Sequence, residues 1–287
     1  MLVDTIITLV LTVLRYQFHT VKVVVLTVLR MILAAVLSLV FLSTFLTSVE
    51  GILIPRIISG IIIILFLIKF LKKYLSFKIN KKVMKEILLY AAPLVPASLF
   101  FWIIINANVF FLKEYTSFTE VGIYSTALKF ATTITLLTSG VQMAWRPFSM
   151  SLKDKEESPK IFSKLYLGIL LIGALGILTI ATMMPWIIQL LNENYTEAYK
   201  YVAPIAIATF LNFYYLIISV GLFIKKKTKI ISIAFGISAL CNIVLNIILI
   251  PIFTIWGAVT SYILSYVVAL LIIFVASQKA YYVPISL

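Results

Sequence analysis

Ile230–Ile250 reads IISIAFGISALCNIVLNIILI, with Pro251 directly after it. No residue in that run carries a charge. At about 1.5 Å per residue it crosses the roughly 30 Å hydrocarbon core of a bilayer as a single helix. Ser238, Asn242 and Asn246 recur every four residues and therefore share one helix face. Three polar groups on one face of an apolar helix read as glue between helices. The rest of the chain repeats the pattern. Apolar runs lie at Val23–Leu46, Ile52–Phe70, Ile87–Leu112, Val121–Trp145, Leu165–Trp186, Val202–Ile224 and Ile255–Ala276, and a shorter one at Leu2–Leu14 is too short to cross alone. The expectation is an all-α integral membrane protein of about nine spans.

Composition agrees. Of 287 residues, 63% are hydrophobic and 12% charged, with a mean hydropathy of +1.14. Soluble domains carry about 45–50% apolar residues and about 25% charge, and disorder needs low hydrophobicity, so both classes are excluded. No soluble catalytic domain fits in what the spans leave, so no enzyme is expected. Cys241 is the single cysteine and His19 the single histidine, which leaves no disulfide framework and no histidine-based metal site. No cofactor is expected. The start has Asp4 and no basic segment or small-residue cleavage site, so it does not read as a signal peptide.

The net charge of +14 would suggest nucleic acid in a soluble protein. Here its distribution gives a simpler reading, without a nucleic-acid partner. Eighteen basic residues fall on the odd-numbered loops and the tail, among them Lys72, Lys73, Lys78, Lys81, Lys82, Lys85, Lys153, Lys155 and Lys225 to Lys229. The alternate loops hold two, Lys113 and Lys200, beside Glu50, Glu114, Glu120, Glu193 and Glu197. The positive-inside rule places the odd loops and the C-terminus in the cytoplasm. The Lys225–Lys229 cluster reads as topology plus contact with anionic phospholipids.

A weak internal repeat organises the spans. At an offset of 206, Gly51 falls on Gly257 and Ser59 on Ser265, and the second and third spans fall on the last two. The unit implied has six helices. Residues 87–276 hold one complete unit, and 1–71 hold the last part of another, its first helix incomplete. Residues 72–86 form a basic cytoplasmic linker and 277–287 a cytoplasmic tail. About 120 residues of the first unit lack a counterpart, so the expectation is an N-terminally shortened chain.

Several stretches resemble one family. Leu88-Leu89-Tyr90-Ala91-Ala92-Pro93-Leu94-Val95-Pro96 is similar to its "yglPlip" opening. Val121-Gly122-Ile123-Tyr124-Ser125 resembles "vGlYs", and Gln142-Met143-Ala144-Trp145-Arg146-Pro147-Phe148 resembles "qqAwgPF". The run from Asn242 through Asn246 and Pro251 to Gly257-Ala258 resembles "N..lN..lIP..G..GAa". Together, over about Val23 to Ala276, they resemble polysaccharide transporters, the Wzx-type O-unit flippases of the MATE-like multidrug/oligosaccharidyl-lipid/polysaccharide (MOP) superfamily. The resemblance implies a two-lobed helical fold in the bacterial inner membrane and alternating access. It implies flipping of an undecaprenyl-pyrophosphate-linked oligosaccharide for surface polysaccharide (lipopolysaccharide O-antigen, capsule or exopolysaccharide), with polysaccharide polymerase machinery as a partner. The match departs where the family often has Asp-Arg; this chain has Asn108-Val109 before Phe110-Phe111-Leu112.

Four basic residues lie within or at the ends of spans: Arg30, Arg56, Lys129 and Arg146. No acidic residue falls inside a span, so they have no evident ion-pair partner there. A charge in the bilayer is costly and therefore a functional candidate. Arg30 and Lys129 fall roughly 12 Å from the nearer helix end, and Arg56 roughly 7 Å below the outer surface. Gly122, Ser125, Thr126, Thr132, Thr133 and Gly140 fall on the Lys129 side of a continuous helix, interrupted by Leu136. These residues read either as the wall of a watered cationic cavity or as a small-residue helix contact with Lys129 snorkelling. Arg146 also reads as an anchor beside Trp145. Asn106 and Asn108, following the Pro93/Pro96 pair, suit sugar hydroxyls or interhelical bonds equally. Gln142 and Asn212 complete the polar candidates. The competing functions are a cation-coupled multidrug exporter of the same fold and a truncated, non-transporting fragment.

Overall fold

The computed structural model describes residues 2–17, 19–44, 50–74, 80–92, 94–153, 155–189 and 193–284. Every regular element among these residues is a helix, and six helical stretches are long and apolar enough to cross a membrane. The chain is an all-α integral membrane protein. It divides into two compact units, Met1–Asn80 and Lys81–Leu287.

The first unit is three helices: α1 (Leu2–Tyr16), α2 (Thr20–Thr44) and α3 (Glu50–Tyr74). On α1, Ile7, Val10, Leu11 and Leu14 follow the 3.6-residue period and bury one stripe against Val23 of α2 and Ile63 and Leu67 of α3. Gly60 of α3 lets α1 come close, since a Cβ there would lie 2.5 Å from Cγ1 of Val3. Pro55 interrupts the hydrogen-bond ladder of α3 one residue before Arg56.

The second unit runs α4 (Lys81–Ala91), α5 (Leu94–Tyr115), α6 (Phe118–Ala131), α7 (Ile134–Leu152), α8 (Ser158–Ile188), α9 (Tyr199–Ile218), α10 (Val220–Ile224) and α11 (Thr228–Ala280). Helix α9 is its axis and packs on α6, α7, α8 and α11. Val202, Ile205, Ala206, Ala208 and Ile217 of α9 are fully buried. Helix α11 is two helices folded against each other at Thr254, whose backbone (φ 47°, ψ −120°) is not helical. Gly257 makes that hairpin possible, because a Cβ there would sit 2.3 Å from the Leu249 carbonyl oxygen. The Ser238 hydroxyl closes the hairpin by donating to the Ser265 carbonyl. Outward faces stay apolar, as at Trp102, Leu171, Ile172, Leu240 and Ile252, which are exposed to what is hydrocarbon in a bilayer.

Three expected spans are divided. Ile87–Leu112 becomes α4 and α5, with Pro93 outside the described residues; a residue before proline is pushed out of the helical region. No side chain of α4 is buried. Val202–Ile224 breaks at Ser219 into α9 and α10. Val121–Trp145 breaks after Ala131. There the Thr132 N–H bonds to the Leu128 and Phe130 carbonyls and the Thr133 N–H to the Phe130 carbonyl, a tight three-residue winding. Hydroxyls of Thr132, Thr133 and Thr135 also donate to carbonyls three residues back. The continuous helical face drawn through Lys129, Thr132, Thr133 and Gly140 is therefore broken at the two threonines.

Candidate functional site

In the first unit, Arg30 and Arg56 line one cavity of about 400 Å³ between α2 and α3, with Thr27, Ser38, Ala34, Ala35, Met31 and Ile52. Helices α2 and α3 pack on each other, and Ser38 of α2 and Arg56 of α3 face the same space. Alanines 34 and 35 leave the room.

The expectation of no carboxylate partner is corrected here. The Arg30 guanidinium donates to the Asp4 carboxylate, and the two form an ion pair. Their side chains are 22% and 42% exposed, respectively, so the pair is reachable from outside the packing. Both Arg30 and Arg56 act electrostatically on Asp4. Arithmetic explains the pairing: Asp4 lies about 18 Å along α1 from Tyr16, and Arg30 about 15 Å along α2 from Thr20. Two antiparallel helices joined by a short turn therefore bring them level. The sequence reading passes over Asp4 because Leu2–Leu14 is too short to cross alone and is not counted among the full spans. Folding the chain back about residues 17–19 is the signal that would have found it.

In the second unit the candidates separate. Asn108 is fully buried. Its side-chain N–H donates to the Tyr124 hydroxyl at 3.1 Å, and its oxygen accepts from Asn246 at 2.8 Å and Asn242 at 3.2 Å. Asn246 also donates to the Asn242 oxygen at 3.1 Å, and Asn242 to the Ser261 carbonyl at 3.4 Å. The carboxamides join α5, α6 and both halves of α11, so Asn108 is spent inside the helix junction. Asn106, two residues away, points to the opposite face, is exposed and donates to its own helix at the Trp102 carbonyl, 2.8 Å.

Lys129 is exposed on the last turn of α6. The opposite stripe, Tyr124, Ala127 and Ala131, is buried. Ser125 is half-buried on the lysine's side of the helix, and Thr133 is exposed past the break. The start of α6 is fixed by a reciprocal cap between Ser117 and Glu120. On α7, Gln142 and Arg146 are exposed one turn apart. The Arg146 guanidinium lies 4.9 Å from the Phe223 ring centroid, a cation–π contact. Its neighbour Trp145 is buried and donates to the Leu216 carbonyl at 3.1 Å. Asn212 is half-buried on α9. Among the described residues no cluster of three His, Cys, Asp or Glu side chains forms a metal site.

A family model described as "Polysaccharide biosynthesis protein" matches residues 3–153, over half of the chain. No curated protein and no solved structure matches it.

Proposed function

From the premise that the chain belongs to the polysaccharide biosynthesis protein family, we propose that it flips an undecaprenyl-pyrophosphate-linked oligosaccharide across the bacterial inner membrane by alternating access. The observation that carries the reading is the cavity holding both Arg30 and Arg56. A lipid diphosphate brings two or more negative charges into a low-dielectric region, where an unpaired charge is costly. Two guanidinium groups, each a planar fork matched to phosphate oxygens, offset that cost. The reading makes the protein a Wzx-type transporter and not an enzyme. Polysaccharide polymerase machinery would take its product, and anionic phospholipids would contact the basic cytoplasmic loops.

A proteoliposome assay tests it. Labelled undecaprenyl-pyrophosphate oligosaccharide is supplied in one leaflet, and its transfer to the other is read by protection from a glycosidase. Transfer above that of protein-free vesicles is expected. Transfer no faster than in empty vesicles sinks the proposal.

Asp4 favours a second reading. A carboxylate beside an arginine in a membrane protein is also what a cation-coupled multidrug exporter of the same fold would use. Deletion separates the two: loss of surface glycan with unchanged drug sensitivity supports the flippase, and the reverse supports the exporter.

A further inference from the structure

The Arg30–Asp4 pair sits at the edge of a cavity that still holds an unneutralised cation. Asp4 supplies one negative charge, while Arg30 and Arg56 supply two positive ones. The Arg56 guanidinium makes no hydrogen bond or ion pair among the described residues; the Ser59 hydroxyl donates to the Arg56 backbone carbonyl. The pair itself is not locked away: both side chains are partly exposed, and Asp4 belongs to the first turn of α1. A guanidinium has five donors and binds carboxylate and phosphate through the same fork, so the two anions compete for one face of Arg30.

We propose that Asp4 is an exchangeable internal counter-ion. With the cavity empty it holds Arg30; when a phosphate-bearing ligand enters, Asp4 yields Arg30, and Arg30 and Arg56 hold the phosphate oxygens together. This rests on the lipid-diphosphate reading above and adds how binding and release are balanced. Two permanently free arginines would bind a diphosphate and retain it. A carboxylate that recaptures Arg30 weakens binding and speeds release. Asp4 is thus a positioning residue, acting through Arg30.

The test uses the full chain in nanodiscs, with inorganic pyrophosphate as the probe and calorimetry at low ionic strength. Asp4→Asn should bind pyrophosphate about tenfold more tightly than the unmodified chain, on the order of one ion pair's competition. Arg30→Gln and Arg56→Gln should each weaken binding. In the Asp4→Asn/Arg30→Gln double variant the gain should vanish. Asp4→Ser, which also removes the charge, should behave as Asp4→Asn does and serves where that variant gives too little folded protein. In the translocation assay, Asp4→Asn should bind substrate more tightly yet turn over more slowly, a split that a merely structural role would not produce.

Unchanged or weaker pyrophosphate binding in both Asp4 variants overturns the proposal. So does a gain that survives Arg30→Gln, or no binding by any form. Affinity should be the same in phosphatidylcholine and phosphatidylglycerol discs. Competition by phosphatidylglycerol would assign the cavity to bulk lipid headgroups and overturn the exchange with a transported diphosphate. The binding arm needs no transport, so tight, Asp4-dependent binding without translocation would sink the flippase reading and leave the counter-ion in place.

Discussion

Asn246 of α11 donates its side-chain N–H to the Asn108 oxygen of α5 at 2.8 Å, in a fully buried junction. Asn108→Ala would leave the amide groups of Asn242 and Asn246 without that acceptor. A buried donor left unpaired costs about 1–3 kcal/mol. The expected outcome is a lower melting temperature in detergent with α5 and α11 still inserted. Thermal unfolding followed by a thiol-reactive dye on Cys241 measures it, and an unshifted melt would remove the junction from the stability account.

Gly257 approaches backbone rather than a movable side chain, so relief at that position is hard. Gly257→Val should destabilise by about 1–3 kcal/mol or more through overpacking and lower the amount of protein in the membrane fraction. Normal levels and an unchanged melt would mean the α11 hairpin does not close on Leu249.

Thr254 occupies a backbone region that suits glycine and strains a β-branched residue. Such strain costs about 1–3 kcal/mol, while glycine loses up to about 1 kcal/mol through the unfolded chain. Thr254→Gly should therefore raise the melting temperature. A fall would show that Thr254 contributes a contact worth more than its strain.

The lysine distribution predicts sidedness. In a Cys241→Ser background, a cysteine at Glu114 should react with an impermeant maleimide in intact cells, and one at Lys155 only after permeabilisation. Both positions are exposed. Reaction at 155 without permeabilisation would invert the topology.

Lys129 projects away from the buried stripe of α6, so its removal should spare the fold. Lys129→Ala in a strain where this chain is the single copy should abolish surface glycan, and Lys129→Arg should keep part of it. Membrane levels should match the parent in both. Normal glycan with the alanine variant would exclude the lysine from substrate handling.

The fold class was legible because apolar length alone decides it: Ile230–Ile250 cannot be anything but a buried or membrane helix. The α11 hairpin was also readable, as the short gap 251–254 between the spans Ile230–Ile250 and Ile255–Ala276. Breaks inside spans were less so. Nothing in Val121–Trp145 removes a backbone donor; paired threonines rewind the helix by bonding their hydroxyls to carbonyls three residues back, and that choice depends on tertiary context. Of the candidate site, the arginines were found by their cost in lipid. Asp4 was missed because its partner lies on another helix, and pairing across a hairpin depends on height, not on neighbours in the chain.

The contact between Asn108 and Asn246 spans 138 residues of chain. At a synthesis rate of about 5–20 residues per second, roughly 7–28 s separate the two residues' emergence from the ribosome. Helix α5 is the first long helix of its unit and α11 the last, and they pack on each other. During that interval the Asn108 carboxamide has no Asn246 to receive. The unit cannot reach its final packing until its last hairpin is delivered, so whatever shelters α5 at the insertion machinery must do so for most of the time that the unit takes to be made.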